Sequence, residues 1–504
     1  MQKTLQMKRA LRTVLLVLLL SVAGTMKMQA QSFTIGDLNY FVNIGGTSVT
    51  VIGHVNGVSA SGSLVIPESV TYQDTTYAVT SIGGFAFSSC SGLSGSLTIP
   101  NSVTTIGDYA FNSCTGFTNC LTIGNSVTSI GAAAFANCVN FTSIHFNASH
   151  CESMGYVEEE DYWYFVFYNN TSLHEIVIGD NVTSIPTYAF ANHNSQNCQL
   201  VLGNALETIG DYAFYNGADE NYPGLVGDLS LPNSVIEIGK NAFYGCRGLT
   251  GNLTIGNSVT TIGIQAFREC SGFTGNLTIG NSVTTIDHLA FHGCSGFTGS
   301  LIIPNSVTTI GNYAFNYCSG FTGSLIIPNS VTTIGQGAFY GCSGFSENIT
   351  IGNSVNLIRE WAFYGCSGIT SITALSVTPP TLYQGVFIDV PCTTLTVSCH
   401  CIPAYEASEW HDYFTTIIED CTGIEEDNEN LISIYPNPTT SKVNIEAENI
   451  KHITISNLLG QTIYESNASG NAFEYDFGKH EDGVYLIRIE TAIGEATKRV
   501  ILMK

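Results

Sequence analysis

A phenylalanine returns at positions 87, 111, 135, 167, 190, 214, 243, 267, 291, 315, 339, 363 and 387, and nine of the twelve intervals are 24 residues. The other three are 32 (Phe135 to Phe167), 23 (Phe167 to Phe190) and 29 (Phe214 to Phe243). A period of this size marks an array of small units, none of which buries its own apolar face without a neighbour. One copy runs Leu277-Thr-Ile-Gly-Asn-Ser-Val-Thr-Thr-Ile-Asp-His-Leu-Ala-Phe291-His-Gly-Cys294-Ser-Gly-Phe297. Its Leu277/Ile279 pair, like Leu301/Ile303 in the next copy, alternates as a half-buried strand does. Gly or Pro then turns the chain and Asn-Ser follows as turn residues. Val283, Ile286, Ala290, Phe291, Cys294 and Phe297 supply the remaining inward groups. Thirteen such coils, stacked at a strand spacing of about 4.8 Å, make a mainly β solenoid roughly 60 Å long around one column of side chains.

Charge narrows what such a solenoid can bind. Between residues 31 and 424 there are 27 acidic residues and only four basic ones, Lys240, Arg247, Arg268 and Arg359. That balance cannot neutralise phosphates, which excludes nucleic acid as a partner, and it disfavours an anionic membrane surface. The chain's 24 Tyr and 27 Phe argue equally against disorder.

The two ends differ from the middle. Lys3, Lys8, Arg9 and Arg12 precede an apolar run from Val14 to Ala23, too short to span a bilayer, with a cleavage site after Ala30 or near Ala23. Residues 1–30 therefore read as a signal peptide, and no later stretch is apolar enough to cross a membrane. At the other end, Ile402 to Trp410 closes the decaying repeat, and the Glu425-Glu-Asp-Asn-Glu-Asn430 run is a linker. Period-2 alternation then returns at Val443–Ile445, Ile453–Ile455, Gln461–Tyr464, Tyr485–Ile489 and Val500–Leu502, which predicts a small β-sandwich.

The Ile303-Pro-Asn-Ser-Val-Thr-Thr-Ile-Gly-Asn-Tyr-Ala-Phe-Asn-Tyr-Cys318 segment and its copy from Ile327 to Cys342 closely resemble the BspA-like leucine-rich repeats. The resemblance implies a leucine-rich repeat solenoid with a parallel strand ladder on one face. It also implies a surface protein linked to adhesion, with host or microbial surface and matrix proteins as partners. The Ile434-Tyr-Pro-Asn-Pro-Thr439 start, Ile455-Ser-Asn-Leu-Leu-Gly-Gln461 and Gly483-Val-Tyr-Leu-Ile-Arg488 resemble the type A C-terminal sorting domain of the Bacteroidetes type IX secretion system. That resemblance implies export to the cell surface or medium through contact of residues 432–504 with the secretion machinery, and usually removal of this domain. The expected organisation is a signal peptide (1–30), an N-terminal β cap and first coil (31–80), the solenoid (81–390), its C-terminal cap (391–424), a linker (425–431) and the sorting β-sandwich (432–504).

Sixteen cysteines fall into two groups. Cys90, Cys114, Cys138, Cys246, Cys270, Cys294, Cys318, Cys342 and Cys366 each follow a repeat Phe by three residues, and Asn170, His193, Gly217 and Val390 occupy the other equivalent places. Stacked equivalent residues have parallel Cα–Cβ vectors, poorly suited to disulfide geometry, so these nine read as a buried thiol column. No His or carboxylate is regularly placed beside them for a metal. The remaining cysteines are Cys120, Cys151, Cys198 and a C-terminal cluster of Cys392, Cys399, Cys401 and Cys421. The cluster reads as one or two disulfides stapling the cap, with three connectivities open; Cys399-His400-Cys401 lacks the spaced pairs of structural zinc sites.

Two insertions break the register. The first carries Tyr156, Glu158-Glu159-Glu160-Asp161 and Tyr162-Trp163-Tyr164 and reads as a solvated acidic loop; its four carboxylates raise calcium, without the glycine-punctuated alternation of calcium loops. The second, Gly217 to Leu229, reads as a plain loop. Candidate recognition residues lie on the strand face. Thr98, Thr122, Thr254, Thr278 and Thr350 form an outward row that also takes in Ile302 and Ile326. Asn252, Asn276, Ser300, Ser324 and Asn348 stand one position before the buried Leu or its equivalent. A row of Tyr109, Tyr188, Tyr212, Tyr313 and Trp361 precedes the repeat Ala, and Tyr is enriched at interfaces. Such polar, repetitive rows suit many weak contacts summed along an extended partner, and equally suit mere β-structure and solubility. No nucleophile elbow, zincin helix, phosphate loop or dinucleotide fingerprint is present, so no enzyme and no cofactor is expected. The expected function is protein or cell adhesion by a secreted or surface-displayed chain, the alternative being a surface coat or spacer without a specific ligand.

Overall fold

The computed structural model describes residues 31–159, 162–217, 221–421, 432–437, 439–457, 461–491 and 495–503. The expected signal peptide and linker lie outside them. The chain divides into two compact units. One comprises Met1–Glu347, Ile358–Gly368 and Tyr383–Val390; the other comprises Asn348–Leu357, Ile369–Leu382 and Pro391–Lys504.

In the first unit the chain winds as a parallel β solenoid. The Leu-x-Ile motif forms one ladder, with Gly95–Ile99, Phe117–Ile123, Ser143–Phe146, Glu175–Ile178 and Gln199–Val201 pairing in parallel order. Leu97, Leu121, Ile144 and Ile176 are in register and fully buried, because alternate side chains of a strand share one face. Farther along, the same ladder persists as Leu253–Thr254 paired with Leu277–Thr278.

A second parallel ladder, which the sequence pattern did not announce, is built from two-residue strands. Ser184–Ile185, Thr208–Ile209, Glu237–Ile238, Thr261–Ile262, Thr285–Ile286, Thr309–Ile310 and Thr333–Ile334 pair one after another. Each Ile points inward and each Thr or its equivalent points out. The equivalent two-residue strands of the earlier coils, Ser153–Met154, Ser129–Ile130 and Thr105–Ile106, belong to a separate sheet that leads to Thr75–Ile82, which pairs in parallel with Ser48–His54 of an antiparallel meander, Ser32–Ile35, Leu38–Val42 and Ser48–His54.

The third side carries the repeat Phe. All thirteen rings are buried, and every successive pair is stacked, with centroids 5.1–5.6 Å apart and planes within 14°. The long intervals do not interrupt the stack, because their extra residues leave the coil. The first does so as a hairpin, Val157–Glu159 against Tyr162–Tyr164, rather than as the loop expected; Glu160 and Asp161 lie outside the described residues. The second places Val226–Asp228 beside Gly248–Thr250.

The second unit contains the parallel ladder Asn348–Ile351, Ser371–Ala374, Thr394–Ser398 and Thr416–Asp420. A short helix, Ile402–Glu406, and a 3-10 turn, Glu409–Asp412, put Tyr405 and Trp410 in its core. Trp410 Nε1 donates to the Pro380 carbonyl at 2.8 Å and the Tyr405 hydroxyl to the Ser376 carbonyl at 2.8 Å, so both buried polar tips are satisfied. Residues Ile432–Tyr435, Lys442–Asn457, Thr462–Asp476, Gly483–Thr491 and Glu495–Leu502 form an antiparallel sheet. Register breaks between Glu446 and His452 bend its long strand. Val443 and Ile445 then share one sandwich-like core with Ile453, Ile455, Ile487 and Ile489.

Candidate functional site

The proposed outward row is laid out by the ladder itself. Thr98 pairs with Thr122, and the row runs on through His145, Val177 and Val201. Thr254 pairs with Thr278, and Ile302 bridges to Ile326. In the second unit Thr350, Thr373, Thr396 and Ile418 are aligned. Thr98, Asn252, Thr254, Asn276, Thr278 and Ser300 are exposed, while Thr122, Ser324, Asn348 and Thr350 are half-buried.

Several of the polar groups bind one another. Asn252 Oδ1 accepts from the Asn276 backbone N–H at 2.8 Å. The Ser324 hydroxyl donates to Glu347 at 2.8 Å, and Asn348 Nδ2 donates to the Thr350 hydroxyl at 2.8 Å. The second ladder adds a comparable surface that the sequence left unread. There Thr284 and Thr308 Oγ1 donate to the carbonyls of Thr260 and Thr284, each at 3.3 Å.

The third side presents a different chemistry. Except at Phe165 and Asn216, residues two before and two after the repeat Phe adopt left-handed backbone, including Tyr109, Tyr188, Tyr212, Tyr313 and Trp361 at φ 55–60°. Bulky side chains are rare there, because Cβ crowds the following carbonyl. The alternation of left- and right-handed residues turns three N–H groups per coil toward the next coil. Tyr109, Phe111 and Ser113 donate to the carbonyls of Ala132, Ala134 and Ala136 at 2.9, 2.7 and 2.9 Å. The donors thus all point toward the next coil and the acceptors back toward the preceding one, and the Tyr/Trp rings are carried on the outside of that ladder.

Inside, each cysteine following a repeat Phe donates its thiol to a carbonyl of the preceding coil. Cys114, Cys138, Cys246, Cys270, Cys294, Cys318, Cys342 and Cys366 reach the carbonyls of Phe87, Phe111, Phe214, Phe243, Phe267, Phe291, Phe315 and Phe339 at 3.0–3.3 Å. Cys90 reaches Gly57 at 3.2 Å. Burial pushes these thiols up, to about 12 at Cys138, Cys246 and Cys366 and well above their ordinary value at Cys270, Cys294, Cys318 and Cys342. Thiolate chemistry, whether nucleophilic or metal-binding, is disfavoured in this column.

Asn170 and His193 fill two of its places. Asn170 is fully buried with neither amide atom hydrogen-bonded among the described residues. His193 Nδ1 accepts from the Ser195 N–H at 3.2 Å, and burial lowers its pKa to about 4.

Of the cap cysteines, Cys399 and Cys421 are joined, whereas Cys392 and Cys401 are buried free thiols. Donor atoms of Cys399, His400 and Glu419 lie within 4.8 Å of one another, but the disulfide already takes the Cys399 sulfur, so this set does not fit a zinc ion. The side chains of residues 157–164 are not among those described, and the calcium question raised by Glu158 stays an expectation. No helix among the described residues is long and apolar enough to cross a membrane.

Comparison with known proteins bears on both parts of the chain. The BspA type leucine-rich repeat region matches in six copies, over residues 67–157, 163–222, 221–319 and 285–403. A secretion system C-terminal sorting domain matches residues 433–503. Among solved structures, a leucine-rich repeat protein from Bacteroides ovatus ATCC 8483 is 24% identical, with 77% of this chain and 99% of that one covered and a TM-score of 0.49. A leucine rich cell surface protein from Faecalibacterium prausnitzii A2-165 is 24% identical over 69% and 96% of the two chains, with a TM-score of 0.37. The pneumococcal vaccine antigen PcpA is 18% identical over 78% and 99%, with a TM-score of 0.41. No curated protein matches.

Proposed function

The chain belongs to the BspA-type leucine-rich repeat family and ends in a secretion-system sorting domain, and from that premise we propose that it is an adhesive protein of the cell surface or medium. The sorting domain accounts for delivery: it is the module through which the type IX machinery exports a chain. Both matched families are repeat and sorting modules, and neither is a catalytic domain.

The observation that supports adhesion is the solenoid's outside. Two parallel ladders and an aromatic side present rows of Thr, Asn, Ser and Tyr at a fixed spacing on a rigid core. Weak contacts repeated at that spacing add up along an extended protein partner, such as a surface or matrix protein of a host or another microbe. In this reading residues 81–390 recognise and residues 432–504 deliver. Asn252, Thr254, Asn276, Thr278 and Ser300 are the first recognition residues to test.

The exported chain is expected to bind matrix proteins or whole cells saturably, and charge substitutions at Thr254 and Thr278 are expected to weaken that binding. Absence of saturable binding at micromolar concentration would leave a surface coat or spacer. The inter-coil bonds that Asn252 accepts from Asn276 and Asn348 accepts from the Ser371 hydroxyl would then be their whole role.

A further inference from the structure

We propose that the aromatic side of the coils spanning Tyr313 to Tyr364 is a docking site for the Lys and Arg side chains of a basic protein segment. The proposal rests on the adhesive reading above and gives its partner a chemistry.

The rings of this side already hold cations elsewhere in the same stack. Lys240 Nζ lies over the Tyr212 ring, 5.6 Å from its centroid, and the Arg268 guanidinium lies over Tyr244 at 5.3 Å. Both follow one rule: the cation comes from the next coil and leans back over the ring before it. Lys240 stands three residues before its repeat Phe, and Arg268 one residue after.

In the later coils neither of those two positions holds a Lys or Arg. Gln336 and Gln384 stand where Lys240 stands, after Tyr313 and Trp361, and Tyr364 and Ile388 stand where Arg268 stands, after Tyr340 and Tyr364. The rings remain. Tyr317 is 53% exposed and Trp361 36%, and Tyr340 and Tyr364 stack at 4.8 Å with planes 5° apart. Three of the rings pack against glycines of the following coil. A Cβ on Gly337 would come within 2.4 Å of Tyr313, one on Gly341 within 2.8 Å of Tyr317, and one on Gly385 within 2.7 Å of Trp361. The result is a run of aromatic side chains packed coil on coil, in which the Tyr364 ring lies against the face of Tyr340.

Its surroundings favour a cation. The Tyr364 hydroxyl is hydrogen-bonded to the Asp389 carboxylate, and Glu360 directly precedes Trp361. Arg359, the basic residue of these coils, is exposed and covers none of the rings among the described residues. An ammonium or guanidinium is attracted by the ring quadrupoles, while the net charge of −24 speeds its approach. Tyr212 and Tyr244 show which groups such faces accept; no Lys or Arg lies over Tyr313, Trp361 or Tyr364 among the described residues, and these rings offer such faces to another molecule.

The test uses dodecameric oligo-lysine and oligo-arginine peptides against the full chain, followed by calorimetry. The double variant Trp361→Leu/Tyr364→Leu leaves every charge in place, so it removes ring attraction without changing general electrostatics. It is expected to bind the peptides about tenfold more weakly. Trp361→Phe, which restores an aromatic face and reports on folding, is expected to stay within about twofold of the parent, as is Tyr109→Leu on a distant coil. Equal affinity of parent and double variant overturns the proposal. So does a neutral β-1,4-glucan hexamer whose binding, unlike the peptides', depends on the same two rings. If the parent captures a protein from cells and the double variant captures it equally, this site is wrong and the adhesive reading survives. Ring-dependent peptide binding by a chain that captures nothing on cells would do the reverse.

Discussion

The solenoid and the C-terminal sheet bury similar residues by opposite logics. In the solenoid a side chain's neighbour is its own counterpart one coil away: Phe291 stacks on Phe267 at 5.5 Å and on Phe315 at 5.3 Å, and Ile286 is in register with Ile262 and Ile310. In the C-terminal sheet the neighbour is a different residue across an antiparallel pair, as Ile453 faces Ser466 on one side and Ile489 on the other. A column needs only that one position be repeated; a cross-strand core needs each pair chosen separately. The first arrangement extends indefinitely, while the second closes on itself.

The contrast is tested most severely at the ring stack. Phe291→Ala is expected to cost about 3–5 kcal/mol, because it removes a buried ring and leaves a cavity that two neighbouring rings cannot fill. Amide exchange should quicken in the coils on both sides of Phe291. For Ile453→Ala, of comparable cost, faster exchange should be confined to the strands paired with it. Equal spreading in the two variants would erase the distinction.

A place where the column changes chemistry sharpens the comparison. His193 is neutral in the fold with its pKa lowered to about 4 by burial, below the ordinary value of about 6.5. As pH falls below about 6.5 the unfolded chain takes up a proton that the folded chain refuses until about 4, so the folded state loses stability across that window. The loss amounts to roughly 3 kcal/mol. Chemical denaturation at a series of pH values should show that component in the parent and not in His193→Cys, which restores the column's usual residue.

The smallest effect expected is at the thiols. Cys294→Ala removes a donor 3.0 Å from the Phe267 carbonyl and a buried sulfur, for about 1–2 kcal/mol. Denaturant titration of this variant beside the parent checks it. No loss would mean that the column is filler and its hydrogen bonds contribute nothing.

What the sequence revealed follows from the same contrast. The Phe register and the Leu-x-Ile strand were legible because repetition amplifies a weak signal: one Leu277/Ile279 pair says little, thirteen aligned copies say a great deal. The second ladder was not legible, since a two-residue strand such as Thr285–Ile286 has no alternation to detect. The left-handed residues were hidden for another reason. Glycine and asparagine normally announce that conformation, and here Tyr109, Tyr313 and Trp361 adopt it. The rings were visible as a row, but the cations over Tyr212 and Tyr244 come from residues 28 and 24 positions later, a relation that only the coil pitch makes close. Among the cap cysteines, spacing left three pairings open, and the chain path alone brings Cys399 to Cys421.

The claim beneath the whole account is that equivalent residues lie in straight files along one winding chain. Anomalous diffraction from the native sulfur atoms of a crystal tests this directly. The account predicts six peaks, for Cys246, Cys270, Cys294, Cys318, Cys342 and Cys366, in a single file at intervals of about 4.8 Å, each unbonded to the next. Sulfurs paired as disulfides, or scattered off that line, would contradict it.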